Sequence, residues 1–407
     1  MSTVYSNTLL NLAATSSRDG SGGLYYPQNL HLSTPLVVQS SGSHYIISDS
    51  TAWQRRIEDG PLNHRAWVQQ ERFLAPRVVH FSYDQIWWQC LEAKASEAFP
   101  FGLPFDLKIK DEEAESHNIP ADIVHPEWLR WVEGYTKTDI TKDSDRLVAT
   151  VGIANSFTNP LDPHRSVYLA GLWWQDLVVS LLWHSTESPT KLDPSVAPSW
   201  SWASVKGEIM FDCGNMDSRN PAFLPPGYTD PDPTAYISDE HLAISILDSY
   251  DPKGSLNPSQ GGFIRIRAPL YRLTLSGTCQ RPKDGHIQFE RTRVGAYETP
   301  SPLCFFDTNH LDDESWYHAS DWSDRRTYFC RFLPKLSLPG DAGSEPDAPG
   351  YAAEVKPTGL ILEPTGQRGQ YLRIGWLQTH TDDARSKLEK HEFLEDMDDG
   401  TYVIDLV

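Results

Sequence analysis

The chain has 407 residues and a formal net charge of −20, from 55 acidic and 35 basic residues. Its 14 Trp and its 22% of charged residues are typical of a globular protein, not of a disordered one, and the length suffices for a large core. The acidic balance and the absence of a Lys/Arg cluster argue against nucleic acid and anionic membranes as partners.

The first clear elements are a helix and a β-hairpin. Residues 61 to 75 predict the helix, with Pro61 in its first turn and Asn63 as a candidate N-terminal cap. The sequence RVVHFSYDQIWWQC that follows is rich in β-branched and aromatic residues on both sides of the turn SYD. It therefore predicts two antiparallel strands joined at that turn.

The middle of the chain, residues 112 to 185, is predicted to be helical, and its clearest segments are PEWLRWVEGYT and GLWWQDLVVSLLWH. In the second segment apolar residues recur at three- and four-residue spacing, which favours one apolar helix face. On that helix Trp173 and Asp176 lie three residues apart and could line a cleft together. The alternative is core packing by Trp173 with a solvated Asp176.

After about residue 195 the pattern changes to short β-like runs separated by loops rich in Pro, Gly and Asp. The run SWSWAS predicts a strand with Trp200 and Trp202 on one face. The two indoles either wall a ligand pocket or cover the core. The last run, TYVIDLV, predicts a strand that pairs into a sheet.

The motif RAWVQQE on the predicted helix is a candidate for chemistry. At helical spacing Trp67 shares a face with Gln70 and Glu71, whereas Arg65 lies on another face. Next to aromatic rings, Glu71 would have a raised pKa and serve as a general acid or base, and Arg65 would bind an anion or a carbonyl group. The structural alternative is that both residues pair with neighbouring elements and fasten the helix to the hairpin.

The hairpin adds a histidine and two tryptophans to this set. His80 alternates with Val79 and Phe81, so its side chain faces away from theirs. At neutral pH it could transfer a proton, and the alternative is a structural histidine with satisfied hydrogen bonds. The predicted catalytic residues are Arg65, Glu71 and His80. The predicted substrate-binding residues are Trp67, Gln70, Trp87, Trp88, Trp173, Asp176, Trp200 and Trp202.

Motifs for metals, cofactors and membrane insertion are absent from the sequence. The five Cys residues are scattered and include no C-x-x-C pair, which argues against a zinc site and against a disulfide framework. Neither nucleotide-binding glycine motifs nor H-E-x-x-H nor G-x-S-x-G occurs. No apolar run approaches the roughly 18 to 20 residues of a membrane span, and MSTVYSNTLL does not resemble a signal peptide. We therefore expect a cytoplasmic protein with no cofactor, no metal and no membrane partner.

Several ordered blocks carry a family resemblance. The stretch RAWVQQERFLAPRVVHF resembles the closing motif of the fungal heterokaryon-incompatibility (HET) domain, R-x-W-x-x-Q-E-x-x-L-S-x-R-x-x-x-F, and VYSNTLLNLAATSSRDGSGGLYY resembles the family's Y-x-x-A-x-x-x-I-A-A segment. YLAGLWWQDLVVSLLW and APSWSWASVKGEI are similar to two downstream blocks, and GLILEPTGQRGQYLRIGWLQ is similar to the β-rich tail. The resemblance runs nearly from end to end.

The sequence also departs from this family. A complete HET domain opens with L-S-Y-x-W-G and L-W-I-D-x-x-C-I-x-Q segments, and neither is present, so the chain resembles an N-terminally truncated member. Because the HET domain has been likened to the NAD-cleaving TIR fold, the resemblance implies the remnant of a TIR-like α/β domain. We expect an α+β fold packed as one body, with the HET remnant at 1–90, a helical middle at 91–189 and a β-rich region at 190–407.

Two functions of different classes follow. The first is a stand-alone, cofactor-independent enzyme of fungal secondary metabolism, a cyclase, isomerase or hydrolase that binds a small molecule in a Trp-lined pocket. The alternative is a heterokaryon-incompatibility protein that acts in non-self recognition and cell death through a protein partner or as a homo-oligomer. The missing half-domain, the Trp-rich segments and the lack of redox motifs favour the enzyme, and the family resemblance favours the alternative.

Overall fold

The chain folds into a mixture of helices and sheets, and the α+β class is confirmed. The computed structural model describes residues 2–26, 34–104, 126–157, 168–185, 189–211, 245–250, 262–280, 288–294, 297–299, 303–307, 327–333, 336–337, 354–355, 358–378, 388–397 and 401–407. The α-helices are α1 (Ser2–Ser6), α2 (Ala66–Leu74), α3 (Pro126–Thr136), α4 (Val148–Phe157) and α5 (Leu177–Ser180).

The chain divides into two compact units. Unit 1 comprises Met1–His117 and Gly134–Phe157, and unit 2 comprises Asn118–Glu133 and Thr158–Val407, so the division falls within helix α3. The three regions expected from the sequence, 1–90, 91–189 and 190–407, stay a prediction.

Unit 1 contains a four-stranded sheet and a separate hairpin. Its strands are β1 (Asn11–Ala13), β2 (Leu36–Ser40), β3 (Ser43–Ile47), β4 (Arg77–Phe81), β5 (Ile86–Cys90) and β6 (Lys94–Ser96). The sheet has the order β1-β4-β5-β6, with β1 parallel to β4 and the other pairs antiparallel. Strands β4 and β5 are the hairpin that the sequence predicted.

The predicted helix of unit 1 is present but begins later than expected. Residues Pro61–His64 form a single 3-10 turn, and helix α2 follows with Arg65 as its N-cap residue. The expectation that Asn63 caps the helix is wrong, because its side-chain amide donates to the carbonyl of Ile57. The side chain of Asn63 thus binds the preceding turn and does not cap helix α2.

Unit 2 is built around an eleven-stranded sheet. The strands of this unit are β7 (Tyr168–Leu169), β8 (Leu172–Trp173), β9 (His184–Ser185), β10 (Thr190–Lys191), β11 (Val205–Lys206), β12 (Ile209–Met210), β13 (Ser245–Tyr250), β14 (Phe263–Ala268), β15 (Leu270–Gln280), β16 (Gln288–Val294), β17 (Tyr297–Thr299), β18 (Leu303–Phe306), β19 (Thr327–Leu333), β20 (Leu336–Ser337), β21 (Glu354–Val355), β22 (Thr358–Pro364), β23 (Gln370–Gln378), β24 (Glu395–Asp396) and β25 (Tyr402–Leu406).

The predicted last strand, β25, lies inside this sheet. Nine strands follow the path β13-β14-β25-β23-β22-β19-β15-β16-β17, while β18 pairs with β23 and β24 with β25. Residues on β14 alternate between half-buried and buried, and Ile264 and Ile266 are fully buried. This period of two is what a strand with one face on the core requires.

The segment GLWWQDLVVSLLWH is not the long helix that its spacing predicted. It forms strand β8, a 3-10 turn at Trp174–Asp176 and the single turn of α5 before strand β9. The reason is a turn at Gly171, whose φ is +97° and whose carbonyl accepts hydrogen bonds from the indoles of Trp128 (3.0 Å) and Trp202 (2.9 Å). A Cβ at Gly171 would lie 2.5 Å from Nε1 of Trp202, so only glycine fits.

The interior of unit 2 holds an ion pair. The side chain of Arg373 is fully buried, and its Nε donates to a carboxylate oxygen of Asp307 at 2.9 Å. The same guanidinium donates to the carbonyls of Leu181 (2.7 Å) and Trp183, and stacks over the Trp183 ring. Burial lowers the pKa of Arg373 to about 10 against the opposing effect of Asp307. The ion pair and its hydrogen bonds thus connect three segments of this unit.

No helix among the described residues is long and apolar enough to span a membrane.

Candidate functional site

A polar network lies beside the sheet of unit 1. Glu58 accepts two hydrogen bonds from Arg72, at 2.5 and 2.6 Å, and a third from the indole of Trp53 at 2.7 Å. Lys94 Nζ lies 4.7 Å from the centre of the Trp53 ring. The bidentate geometry and the indole donor hold the Glu58 carboxylate in one orientation, with 27% of its side chain still exposed.

The network continues to His80 on strand β4. Gln89 accepts from Arg72 Nε at 2.8 Å, and its side-chain oxygen lies 3.2 Å from His80 Nε2. On the other side of the ring, His80 Nδ1 lies 3.0 Å from the hydroxyl of Thr15. Both imidazole nitrogens of His80 therefore have partners, and the residue itself is only 1% exposed.

The sheet explains why these side chains converge. His80 is opposite Trp87 in the β4–β5 ladder, and Val78 is opposite Gln89, so all four side chains project from one face. The predicted alternation on β4 is confirmed, because Val78 and His80 are buried whereas Val79 and Phe81 are half-buried. Trp53 packs edge-to-face on both His80 and Trp87, with ring centroids 5.9 Å apart in each pair.

Two pKa values in the network are strongly shifted. Burial alone would raise the pKa of Glu58, but the charge and hydrogen bonds of Arg72, with Trp53 and Lys94, outweigh it and lower the value to about 2. Burial, and then the charge of Arg72, lowers the pKa of His80 to about 3, against the smaller effects of Gln89 and Glu58. At neutral pH Glu58 is ionised and His80 is neutral.

Acid should destabilise unit 1 through His80. Its pKa is about 3 in the fold against 6.5 unfolded, so between these values the unfolded chain binds more protons. Stability is then lost as the pH falls below about 6.5. Lowering the pH from 7.5 to 5 should cost about 2 kcal/mol through this residue.

Urea unfolding at several pH values, for wild type and the His80→Gln variant, measures this effect. Because the pKa of Glu58 shifts from 4.5 to about 2, its contribution is lost mainly below pH 4.5 and does not enter the range from 5 to 7.5. The wild type should lose about 2 kcal/mol more than the variant over that range. Parallel pH profiles for the two proteins would contradict the buried, neutral state of His80.

Arg65 and Glu71 do not join this network. Glu71 interacts with Tyr5 of helix α1, where burial first, and then the hydrogen bond and charge of Glu71, raise the pKa of Tyr5 to about 12. Arg65 is exposed, and within the described ranges its side chain has no hydrogen bond or ion pair. Glu71 thus links α2 to α1, and the catalytic roles predicted for Arg65, Glu71 and His80 stay predictions.

The predicted binding residues of unit 1 are divided into two buried and two half-buried side chains. Trp87 is 2% exposed and packs in a small core with Trp53, Ile57 and Leu103. Gln70 is also buried, whereas Trp67 and Trp88 are half-buried. Trp88 lies on the sheet face opposite to that of Trp87, so these two Trp residues do not wall one pocket.

The predicted binding residues of unit 2 are core residues. Trp173 and Trp202 are fully buried, Trp200 is 3% exposed and Asp176 is 5% exposed. The expectation that Trp173 and Asp176 share a helix is wrong, because Trp173 ends strand β8 and Asp176 ends a 3-10 turn. The SWSWAS run is likewise not a strand, since Trp202 begins a 3-10 turn that Ser201 caps.

Reasoning from the sequence missed the centre of the network, namely Trp53, Glu58, Arg72 and Gln89. Glu58 and Arg72 are 14 residues apart, and a 3-10 turn and most of α2 lie between them. No local spacing rule pairs residues at that separation. Arg72 follows the RAWVQQE motif directly, and this position was the one feature of the sequence that could have indicated its role.

A second feature of unit 1 is the exposed hairpin of β2 and β3. All ten of its strand residues are exposed, and the large apolar ones are Leu36, Val37, Val38, Tyr45, Ile46 and Ile47. Within the described parts of the chain, β2 and β3 pair only with each other. The turn between them has Ser41 and Gly42 at positive φ, as tight two-residue hairpins require. An exposed apolar surface of this kind is a candidate interaction site.

Metal sites can be assessed among the described residues only. In that part of the chain, no group of three or more His, Cys, Asp or Glu side chains is placed to hold an ion.

Comparison with known proteins gives one match. Residues 1–71 match the model of the family described as heterokaryon incompatibility protein (HET). The resemblance found in the sequence is confirmed over these residues, whereas the similarity of the downstream blocks stays a prediction. No curated protein and no solved structure shows significant similarity to the chain. The matched region includes Trp53, Glu58, Glu71 and the β2–β3 hairpin, and ends before Arg72 and His80.

Proposed function

We propose that the chain acts in heterokaryon incompatibility, as a non-self recognition and cell-death protein that works through protein contacts. The observation that carries this proposal is the exposed apolar β2–β3 hairpin, which lies entirely within the residues that match the HET family. Six large apolar side chains on a two-stranded ribbon expose 39 to 60% of their surface. Burial of such side chains against another protein is the usual source of binding free energy at interfaces.

The contacts of His80 and Glu71 support structural roles for these two residues, which agrees with a contact-based function. His80 is neutral at pH 7 and has partners on both ring nitrogens, so it is a poor proton shuttle. Glu71 is linked to Tyr5, and Arg65 is exposed on the surface. The network fixes α2 against the sheet, and we place the binding surface on the β2–β3 hairpin.

Inducible expression in a filamentous fungus tests this proposal. The wild type and the Glu71→Gln variant should both arrest growth, whereas a Leu36→Asp/Ile47→Asp variant should not. Leu36 and Ile47 are paired across the hairpin and are 59% and 55% exposed, so their replacement spares the core. Melting temperatures within a few degrees and equal protein levels are the control.

Two outcomes would overturn the proposal. One is normal growth in the presence of folded wild-type protein at a measured level. The other is arrest that the Glu71→Gln variant abolishes and the hairpin variant retains. The second outcome would favour catalysis at Glu71.

The enzymatic alternative has one specific observation in its favour. Glu58 is an ionised carboxylate that is partly open to solvent, and it lies between Arg72 and an indole in the small aromatic core of unit 1. A cofactor-independent cyclase, isomerase or hydrolase of secondary metabolism would bind its small molecule there. The binding roles predicted for Trp173, Trp200 and Trp202, which are buried residues of unit 2, stay predictions.

A further inference from the structure

A second polar cluster of unit 1 lies at the turn between β4 and β5. Arg56 donates from Nε to a carboxylate oxygen of Asp84 at 2.6 Å. The central carbon of its guanidinium group lies 4.5 Å from the centre of the Tyr83 ring. Asp84 and Tyr83 are neighbours in that turn. One ion pair and one cation–π contact therefore hold the guanidinium group in place.

The outer donors of Arg56 are available to a ligand. Among the described residues, Nη1 and Nη2 of Arg56 have no hydrogen-bond partner, and neither atom is buried. The side chain as a whole keeps 17% of its surface exposed. Because the guanidinium group is planar, these two nitrogens form a fork of parallel N–H groups. Such a fork matches two oxygens of one carboxylate or phosphate group.

The carboxylate of Asp84 is committed to Arg56. Its side chain is 5% exposed, and its Oδ1 is buried without a hydrogen bond among the described residues. A buried carboxylate oxygen without a partner costs stability and is uncommon in folded proteins. The ion pair of Asp84 orients the Nε side of the guanidinium group, and a donor that is fixed in advance loses less entropy when a ligand binds.

The backbone around Arg56 is also unusual. Arg56 lies in a single π-helical turn, Gln54–Glu58, and such turns are rare and frequently occur at functional sites. Two hydroxyl groups lie at the same end of the sheet, because the parallel strands β1 and β4 both end there. Ser16 Oγ accepts from the backbone N–H of Tyr83 at 3.0 Å and lies 3.4 Å from Ser82 Oγ.

We propose that Arg56 binds one small oxyanion, a phosphate or a carboxylate group, at this end of the sheet. The net charge of −20 repels large polyanions, so a single small group is the ligand that fits. Asp84 offsets the charge of Arg56, and the directed hydrogen bonds of the fork therefore select the ligand. The expected dissociation constant is roughly 1 to 10 mM. This proposal does not rest on the proposed function.

Phosphorus NMR of inorganic phosphate, titrated with the purified full chain at constant ionic strength, tests the proposal. The wild type should broaden the phosphate signal saturably. The Arg56→Lys variant keeps the charge but loses the fork, and should raise the dissociation constant at least about fivefold. The Arg55→Lys variant is the matched control, since Arg55 is the adjacent cation, 54% exposed and paired with Asp49. It should change the constant less than about twofold.

A second variant and a competitor complete the experiment. Tyr83 is 47% exposed, so the Tyr83→Ala variant spares the core, and loss of its ring beside Arg56 should raise the dissociation constant at least about twofold. Acetate at the same ionic strength identifies the oxyanion. Displacement of phosphate by acetate shows that carboxylates bind at Arg56 as well, and the absence of displacement restricts the site to phosphate.

Either of two results contradicts the proposal. One is a phosphate signal that the folded wild type does not broaden at any concentration up to several times the expected dissociation constant. The other is equal weakening by Arg55→Lys and Arg56→Lys, which means an adventitious ion only. Melting temperatures within a few degrees of the wild type are the control for both variants. Because only purified protein and phosphate are needed, a failure here is independent of the growth assay.

Discussion

Replacing Arg373 with Met is expected to lower the free energy of unfolding of unit 2 by about 3 to 5 kcal/mol. The side chains of Arg373 and Asp307 are 0% and 4% exposed, so removal of the cation leaves an uncompensated carboxylate in the core. Burial already raises the pKa of Asp307, and only Arg373 and, to a smaller extent, Lys191 oppose it. Two backbone carbonyls, of Leu181 and Trp183, lose their donor as well.

A matched double variant separates the charge from the packing. Arg373→Met combined with Asp307→Leu removes both charges, and should recover at least about 2 kcal/mol of the loss. Recovery remains incomplete because the two carbonyls stay unpaired. Urea unfolding followed by circular dichroism measures the single variant, the double variant and the wild type. A single variant within about 0.5 kcal/mol of the wild type would contradict the ion pair as a necessary part of this core.

Deleting residues 402–407 should prevent unit 2 from folding and leave the expressed chain in the insoluble fraction. Strand β25 pairs with β14 from Ile264 to Ala268, pairs with β24, and lies parallel to the start of β23. Its residues Val403, Ile404 and Leu406 are at most 2% exposed. The deletion uncovers two strand edges in the middle of the sheet, and such edges promote aggregation.

The Asp405→Asn variant is the control for this deletion. Asp405 pairs with Arg265 at 2.7 Å, but the two side chains keep 14% and 38% of their surface exposed. A pair of that kind contributes about 1 kcal/mol or less, so the variant should stay soluble and melt within a few degrees of the wild type. A shortened chain with unchanged solubility and melting temperature would contradict the central position of β25.

Elements with strong composition signals were predictable from the sequence. The β4–β5 hairpin and strand β25 are rich in β-branched and aromatic residues, helix α2 has apolar residues after the turn at Pro61, and each element is present. The segment at 172–185 has the period of a helix, yet it forms two short strands with single turns between them. There the contacts of Gly171 with two distant indoles outweigh local periodicity, and those contacts cannot be read from the segment itself.

The candidate site was only partly predictable for the same reason. His80 was found because alternation on a strand fixes its face. Its hydrogen-bond partners Gln89 and Thr15, and Arg72, which donates to Gln89, belong to three other segments. The ion pair of unit 2 joins residues 66 positions apart. Only the folded structure brings such distant residues together, so no regular spacing in the sequence predicts their contacts.

The position of β25 also governs how this protein reaches its fold. Arg265 and Asp405, which face each other on β14 and β25, are 140 residues apart in the chain. The sheet therefore lacks a central strand until residues 402–406 have left the ribosome, and its completion requires contacts between residues far apart in the chain. During synthesis the edges of β14 and β23 stay open, and chaperones that bind unpaired strands would act on this nascent chain at that stage.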